Sequence, residues 1–287
     1  MQNCKSILTN NVKICDLHAH TNFSDGSLTP SELVAEAVGA GLSAIALTDH
    51  NTILGVPELM AAAEKMGIKA IPGIEFSTDY HGTELHVIAL GVREESYPVI
   101  NAMVDEIRVR KREAMDKLVS DLIAAGYELD REKIYFGVQG IINRAHVATE
   151  LVRCGYATTR SDAFDRILYS GGPFYREPKY IATEECIDFI ESIGAVSVLA
   201  HPLLNIGVDT LRALLTSVRG RLRAMEVVYS EYDEEKTEIS YELIKEFGLL
   251  PSGGSDFHGK NKPDIALGTG RGNLVIPLSF AEGMGLV

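Results

Sequence analysis

Short apolar runs alternate with amphipathic segments along most of the chain, and the alternation changes character only in its middle third. Val12 to Cys15 predicts a buried strand leading into Asp16-Leu17-His18-Ala19-His20. Asp25-Gly26-Ser27 reads as a turn. Thr29-Pro30-Ser31-Glu32 then has capping-box spacing, so a helix to about Ala40 follows, closed by Gly41. Ala44 to Leu47 predicts a second strand, Gly55 to Met66 a helix, Lys69 to Ile74 a third strand, and Glu84 to Val92 a further strand carrying His86.

From about Tyr97 the pattern becomes one long, charge-rich amphipathic helix to Ala125. Helical segments at about Arg144 to Cys154 and Ser161 to Leu168 come next, with a turn at Ser170-Gly171-Gly172-Pro173. This block, 98–178, lacks strong strands and reads as an α-helical insertion. The alternation then resumes. Helices at Thr183 to Ser192, Asp209 to Val218 and Glu234 to Phe247 precede strands at Ala195 to Leu199, Arg223 to Val228 and Leu249 to Gly254. About seven buried strands predict a parallel α/β barrel, short of the regular eight, built from 12–97 and 179–287.

Side chains alternate along a strand, so Asp16, His18 and His20 should project from one side near its C-terminal end. Alone, His-x-His fits a metal site or a pair of solvated strand-end histidines. The rest of the chain changes the picture. Of eight histidines, five close predicted strands: His18, His20, His50, His201 and His258. Asp25, Glu75 and Asp256 share that placement, and parallel barrels carry their active sites at the C-terminal strand ends. His86 lies early in its strand, so it joins the others only if that strand runs antiparallel or tilts inward.

Composition adds limits. Apolar residues make up 46% and charged residues 23% of 287 positions, as in a globular enzyme. Asp and Glu outnumber Lys and Arg by 40 to 27, a net charge of −13, so long duplex DNA is a poor partner, though a local basic pocket can still take a short anion. Cys4, Cys15, Cys154 and Cys186 form no Cys-x-x-Cys pair and read as reduced thiols. No apolar run reaches membrane-spanning length, and the polar N-terminus lacks a signal-peptide segment, so a cytoplasmic protein is expected, with no membrane partner.

The motifs Asp16-Leu17-His18-Ala19-His20-Thr21 with Ser24-Asp25-Gly26, Thr48-Asp49-His50, Pro72-Gly73-Ile74-Glu75, His86, Ala200-His201-Pro202 and Gly254-Ser255-Asp256-Phe257-His258 resemble the ordered motifs of the PHP (polymerase and histidinol phosphatase) family. The resemblance spans nearly the whole chain. It implies a distorted seven-stranded (β/α)7 barrel and a metal-dependent phosphoesterase with two or three divalent ions. It further implies one metal held by His18, His20, Glu75 and Asp256, a second by Glu75, His86 and His201, and a third by Asp25, His50 and His258. Imidazole and carboxylate ligands suit Mn, Fe or Zn alike. Metals sharing a carboxylate lower the pKa of bridging water and present hydroxide to phosphorus, so no protein nucleophile is needed. Asp16 is a candidate to orient a metal-binding histidine, or simply forms a strand-end hydrogen bond.

Asn143-Arg144-Ala145-His146 opens a helix, so Arg144, His146 and exposed N–H groups there either grip a phosphate or mark an ordinary helix start. With Leu151 to Tyr156, Ala163-Phe164 and Gly171 to Tyr175, the segment resembles the branch acting on nucleoside 3′,5′-bisphosphates and on the 5′ ends of short RNA, which implies that Arg144 and His146 bind substrate phosphate. Departures are Ala145 where proline is common and Asn51 where aspartate often follows Thr-Asp-His. His81 reads as a solvated turn residue and Arg108 to Arg112 as a solvated helix face; Phe174 and Tyr175 read as packing or turn residues before base-stacking ones. The expected partner is a small phosphorylated substrate, including short single-stranded RNA, for a monomer or small homo-oligomer. Other expectations to weigh are a histidinol-phosphate phosphatase, an amide or lactone hydrolase on the same metal cup, and a non-catalytic module.

Overall fold

A computed structural model describes residues 12–136, 142–169, 171–175 and 180–287, and of Glu106 only the backbone. Cys4 and Ser170 lie outside the described residues. In chain order the elements are β1 (Cys15–Asp16), α1 (Pro30–Gly39), β2 (Ala44–Leu47), α2 (Val56–Met66), β3 (Lys69–Tyr80), β4 (Thr83–Leu90) and α3 (Tyr97–Ala124). Next come α4 (Arg131–Tyr135), α5 (Arg144–Arg153), α6 (Arg160–Arg166), β5 (Ile181–Ala182), α7 (Thr183–Ser192) and β6 (Val196–Ala200). The chain closes with α8 (Val208–Ser217), β7 (Ala224–Tyr229), α9 (Glu234–Phe247), β8 (Leu250–Gly254) and α10 (Leu278–Gly283).

The strands follow the order β1-β2-β3-β4-β6-β7-β8, with β5 on β3 beside this path. Closure comes from the chain on either side of the first and last strands. Leu17 N–H donates to the Gly253 carbonyl at 3.2 Å and Asp256 N–H to the His18 carbonyl at 2.9 Å, so the sheet is a nearly closed seven-stranded barrel. Strand alternation sorts the core. Ala44, Ala46, Ile71, Ile88, Leu90, Val198, Ala200 and Ala224 fall in one buried cluster with Ile276. Ile45, Leu47, Ile74, Phe76, Val87, Ala89 and Leu199 meet the helices in another. The many alanines on the first face suit a narrow barrel interior.

Three expectations change. The opening strand is Cys15–Asp16 rather than Val12 to Cys15, with Ile14 bridging to Pro277. β3 runs on past Ile74 to Tyr80 because β4 pairs with it antiparallel along its whole length, so Glu75 stands inside a strand and not at its end. The reversal of β4 is made at His81-Gly82, both at positive φ (52° and 84°), the hairpin-turn conformation, and His81 is exposed there as expected. The capping box at Thr29 is present as read: Thr29 Oγ1 accepts from Glu32 N–H at 3.2 Å, and Glu32 Oε2 accepts from Thr29 N–H at 2.8 Å. The third change concerns α3. Its expected solvated run is broken by Lys111, which is buried.

Candidate metal centre

Glu75 lies on the inward face of β3 and is fully buried. Its Oε1 is 2.9 Å from His86 Nδ1 and 3.4 Å from His201 Nε2. Its Oε2 is 2.9 Å from His50 Nδ1 and 3.3 Å from both His18 Nε2 and His20 Nε2. Despite this crowding neither carboxylate oxygen has a hydrogen bond, nor do His50 Nδ1 and His86 Nδ1. A buried carboxylate ringed by imidazole nitrogens that do not donate to it is badly satisfied by protons and well satisfied by cations. His18 Nε2 and His20 Nε2 face each other at 3.0 Å, with Asp256 Oδ1 3.6 and 3.2 Å away, which is again a donor set for a cation.

A second pole forms around Asp25, whose Oδ1 is 3.1 Å from His258 Nε2, 3.9 Å from His50 Nε2 and 4.0 Å from His20 Nδ1. Four groups therefore have donor atoms within 4.8 Å of one another: His20, Asp25, His50 and His258; His18, His20 and Asp256; His18, Glu75 and His201; His50, Glu75 and His86. All nine histidines and carboxylates singled out in the sequence converge. His86 does so because β4 is antiparallel, which turns the start of that strand toward the cup.

The electrostatics express the same crowding. Burial alone would raise Glu75, but His18, His50 and His86 hold its carboxyl well below the usual range. Burial, with His258 and His50 close by, pushes His20 down to about 3. Burial opposes charge on His18 too, yet Glu75, Glu226 and Asp256 outweigh it and raise its pKa well above the ordinary value.

Backbone strain holds two of these groups. His201 (φ 28°) and Asp256 (φ 56°) are non-glycine residues in the left-handed region, as is Asn51 (φ 49°) next to His50. At Gly254 an added Cβ would lie 2.1 Å from His18 Cβ, so only glycine lets β8 pass this close to the histidine.

Asp16 does not reach an imidazole. Its oxygens accept from the N–H groups of His18 (3.2 Å), Ser255 (2.9 Å) and Gly268 (2.7 Å) and from Ser255 Oγ (2.5 Å), so it ties the first and last strands together. Histidine orientation falls instead to Glu226 on β7. Its Oε1 is 3.0 Å from His18 Nδ1 and its Oε2 accepts from His201 N–H at 2.7 Å. A glutamate inside the apolar run Ala224-Met225-Glu226-Val227-Val228, two residues from inward Ala224, was the signal for it. On the far side of Asp256, Oδ2 accepts from Lys262 Nζ at 2.6 Å and Tyr229 OH at 2.8 Å.

The cup opens into a cavity of about 900 Å³ bordered by Asp25, His50 and His86 on one side and by Arg144, Phe164 and Tyr175 on the other. Arg144 donates to the Leu168 carbonyl at 3.1 Å and lies over the rings of Phe164 (5.5 Å) and Tyr175 (4.9 Å). Phe174 packs on Tyr127 instead. His146 accepts from Asn143 N–H at 3.1 Å through Nδ1, and its ring lies near the Ser24 backbone and the Asp25 carboxylate.

The PHP domain model matches residues 16–170, more than half of the chain. The chain belongs to the PHP-domain family. Among PHP relatives, the 5′-3′ exoribonuclease Rnm of Salmonella typhimurium is 31% identical, over 87% of each chain. A 3′,5′-nucleoside bisphosphate phosphatase of Chromobacterium violaceum is 29% identical over 85% of this chain and 86% of its own. A solved structure from Bifidobacterium adolescentis, assigned as a metal-dependent phosphoesterase, superposes with a TM-score of 0.84 at 27% identity over 95% of both chains. This PHP protein is accordingly a hydrolytic enzyme, a metal-dependent phosphoesterase, with a His/Asp/Glu cluster able to bind metal. Among the described residues no helix is long and apolar enough to cross a membrane.

Proposed function

We propose that the enzyme hydrolyses a phosphate monoester of a small nucleotide, a nucleoside 3′,5′-bisphosphate, and shortens 5′-phosphorylated RNA of a few residues. The observation that carries the reading is the buried Glu75 carboxylate, with five imidazole nitrogens at 2.9 to 3.4 Å and no hydrogen bond on either oxygen. It favours three ions of Mn, Fe or Zn: one held by His18, His20, Glu75 and Asp256, one by Glu75, His86 and His201, and one by Asp25, His50 and His258. Ions held there supply an activated water near neutral pH and take up charge on the phosphoryl oxygens.

The chain's own residues do the rest. Glu226 fixes His18 by its ring and His201 by its backbone, so both present the nitrogen that faces Glu75. Lys262 and Tyr229 occupy Asp256 Oδ2 and leave Oδ1 for the cup. The helical segment 98–178 serves as a cap over the cavity, with Arg144 and His146 binding substrate phosphate beside Asp25 and Phe164 and Tyr175 flanking the base.

The test is phosphate release from adenosine 3′,5′-bisphosphate by metal-loaded protein, beside histidinol phosphate and a 5′-phosphorylated RNA dinucleotide, with Arg144→Ala in parallel. Turnover of the nucleotide that falls at least about tenfold in the variant supports the reading, since a charge-assisted contact of this kind contributes about 1.5–3 kcal/mol. Faster turnover of histidinol phosphate, unaffected by Arg144→Ala, sinks it.

A further inference from the structure

The carboxylates of the cup are not anchored alike. Glu75 stands inside β3, and Asp256 is pinned by its own N–H, which donates to the His18 carbonyl at 2.9 Å. Asp25 lies in a turn between β1 and α1, where no strand ladder can fix it. Yet its Oδ1 faces three imidazoles, His258 Nε2 at 3.1 Å, His50 Nε2 at 3.9 Å and His20 Nδ1 at 4.0 Å. Whatever fixes that turn therefore sets the geometry of one whole pole of the site. Within the turn, the Thr21 carbonyl accepts from Ser24 N–H at 3.1 Å and from Gly26 N–H at 2.9 Å. These bonds close the turn around Asp25 without gripping it.

The grip comes from the other end of the chain, in the short helical turn Gly259–Asn261 that directly follows His258. Asn261 Nδ2 donates to the Asp25 carbonyl at 2.8 Å. Lys260 N–H donates to Ser27 Oγ at 2.8 Å and Ser27 N–H to the His258 carbonyl at 3.1 Å, so the two segments interlock beside that contact. Gly259 (φ 61°) permits the approach: an added Cβ would lie 2.2 Å from Ser27 Oγ. Asn261 is itself held, by its N–H on the His258 carbonyl at 3.4 Å and by Arg160 Nη1 of α6, which donates to its carbonyl at 2.7 Å. His258 is oriented in the same unit. Its Nδ1 lies 2.8 Å from the Asp256 carbonyl, which can only accept, so the ring donates there and Nε2 is left facing Asp25. A neutral amide on a backbone carbonyl adds no charge to the cup, so Asn261 acts on where a ligand stands and not on the field around it.

We propose that Asn261 is the positioning residue for the ion held by Asp25, His50 and His258. It locks Asp25 to the turn that carries His258, so that these two ligands are held as one unit and the ion there depends on a side chain that never touches it. This rests on the three-ion reading above.

The test is the manganese content of metal-loaded protein dialysed against graded chelator, read by elemental mass spectrometry in wild type, Asn261→Leu, Asp25→Asn and the double variant. Leucine keeps the volume of asparagine without its donor. Asn261→Leu is expected to hold one ion about 10–100-fold more weakly while the other two keep their affinity. Added to Asp25→Asn, which removes the ligand itself, it should cost nothing further. Equal weakening of all ions, or an effect that adds in full to that of Asp25→Asn, marks a merely structural role and overturns the proposal, as does an unchanged affinity. If Asn261→Leu fails to fold, Asn261→Asp, with an acceptor where the donor stood, is read in the same way. If wild type never holds a third ion, the three-ion reading fails and a crystal structure of Asn261→Leu decides. Asp25 Oδ1 still within hydrogen-bond reach of His258 Nε2 then overturns the positioning role, and its withdrawal upholds it.

Discussion

The barrel and the helical segment after β4 are held together by different means. In the barrel, buried polar groups are numerous and tied to one another across the strand ends: Asp16, Glu75, Glu226 and Asp256 are all nearly or fully buried. In the helical segment the interior is an ordinary apolar cluster of Met115, Leu118, Leu122, Val147, Leu151 and Leu168. The first region stores unfavourable electrostatics that cations relieve; the second rests chiefly on apolar packing, with the buried Glu150 paired to Arg153 at 2.6 Å. Buried charge is thus placed where the scaffold is most constrained.

Metal removal should separate the two most sharply. Chelation is expected to lower activity by about a thousandfold or more, in line with several kcal/mol of lost transition-state stabilisation. Hydrogen exchange should speed up at 17–20, 48–51 and 254–258 while α3–α6 keep their protection. Equal loosening in both regions would show that the helical segment also depends on the metals. Leu118→Ala reverses the comparison: deleting this fully buried side chain should cost about 2–5 kcal/mol, seen as a lowered midpoint in denaturant, with metal content unchanged.

Glu226→Gln sharpens it within the barrel. The amide still reaches His201 N–H, but the charge beside His18 is gone, so metal affinity should fall about 10–100-fold by competition with a chelating dye. An unchanged affinity would leave Glu226 with a purely structural role. Thr29→Ala removes one half of the α1 capping box without touching the histidine and carboxylate cluster, and should cost about 1 kcal/mol of stability with activity intact.

The convergence of the histidines and acids, Glu75 and His86 apart, was legible in the sequence because a histidine or an acid near the end of a short apolar run sits where a barrel strand ends, and barrel topology brings such positions together. Glu226 and Lys111 were not, since one charged residue inside an apolar pattern looks like noise until its neighbours in space are known. Asp16 was legible as one of two alternatives, a histidine-orienting group or a strand-end hydrogen bond, because spacing gives the face of a strand and not the partner across it; the structure shows the second. The direction of β4 was hidden for a similar reason: period-two alternation is identical in parallel and antiparallel strands. Short elements such as β5 and α4 carry too few residues for any period to show.

That reversed strand has a consequence for how the enzyme can be remodelled. A forward strand delivers the chain to the catalytic rim; β4 delivers it to the opposite end, where Tyr97 begins the 28-residue α3. At 1.5 Å per residue, α3 is a rod of about 42 Å, long enough to climb the barrel wall and reach the rim as a post held to the barrel by Arg108 and Lys111. Its lower half packs on the wall through Ile100 and Val104, and its upper half, from Met115 on, packs into the helical cluster with Leu151 and Leu168. Lengthening, shortening or exchanging what stands on that post moves none of the strand ends that carry the histidine and carboxylate cluster, so one change of strand polarity frees the helical segment to vary by itself.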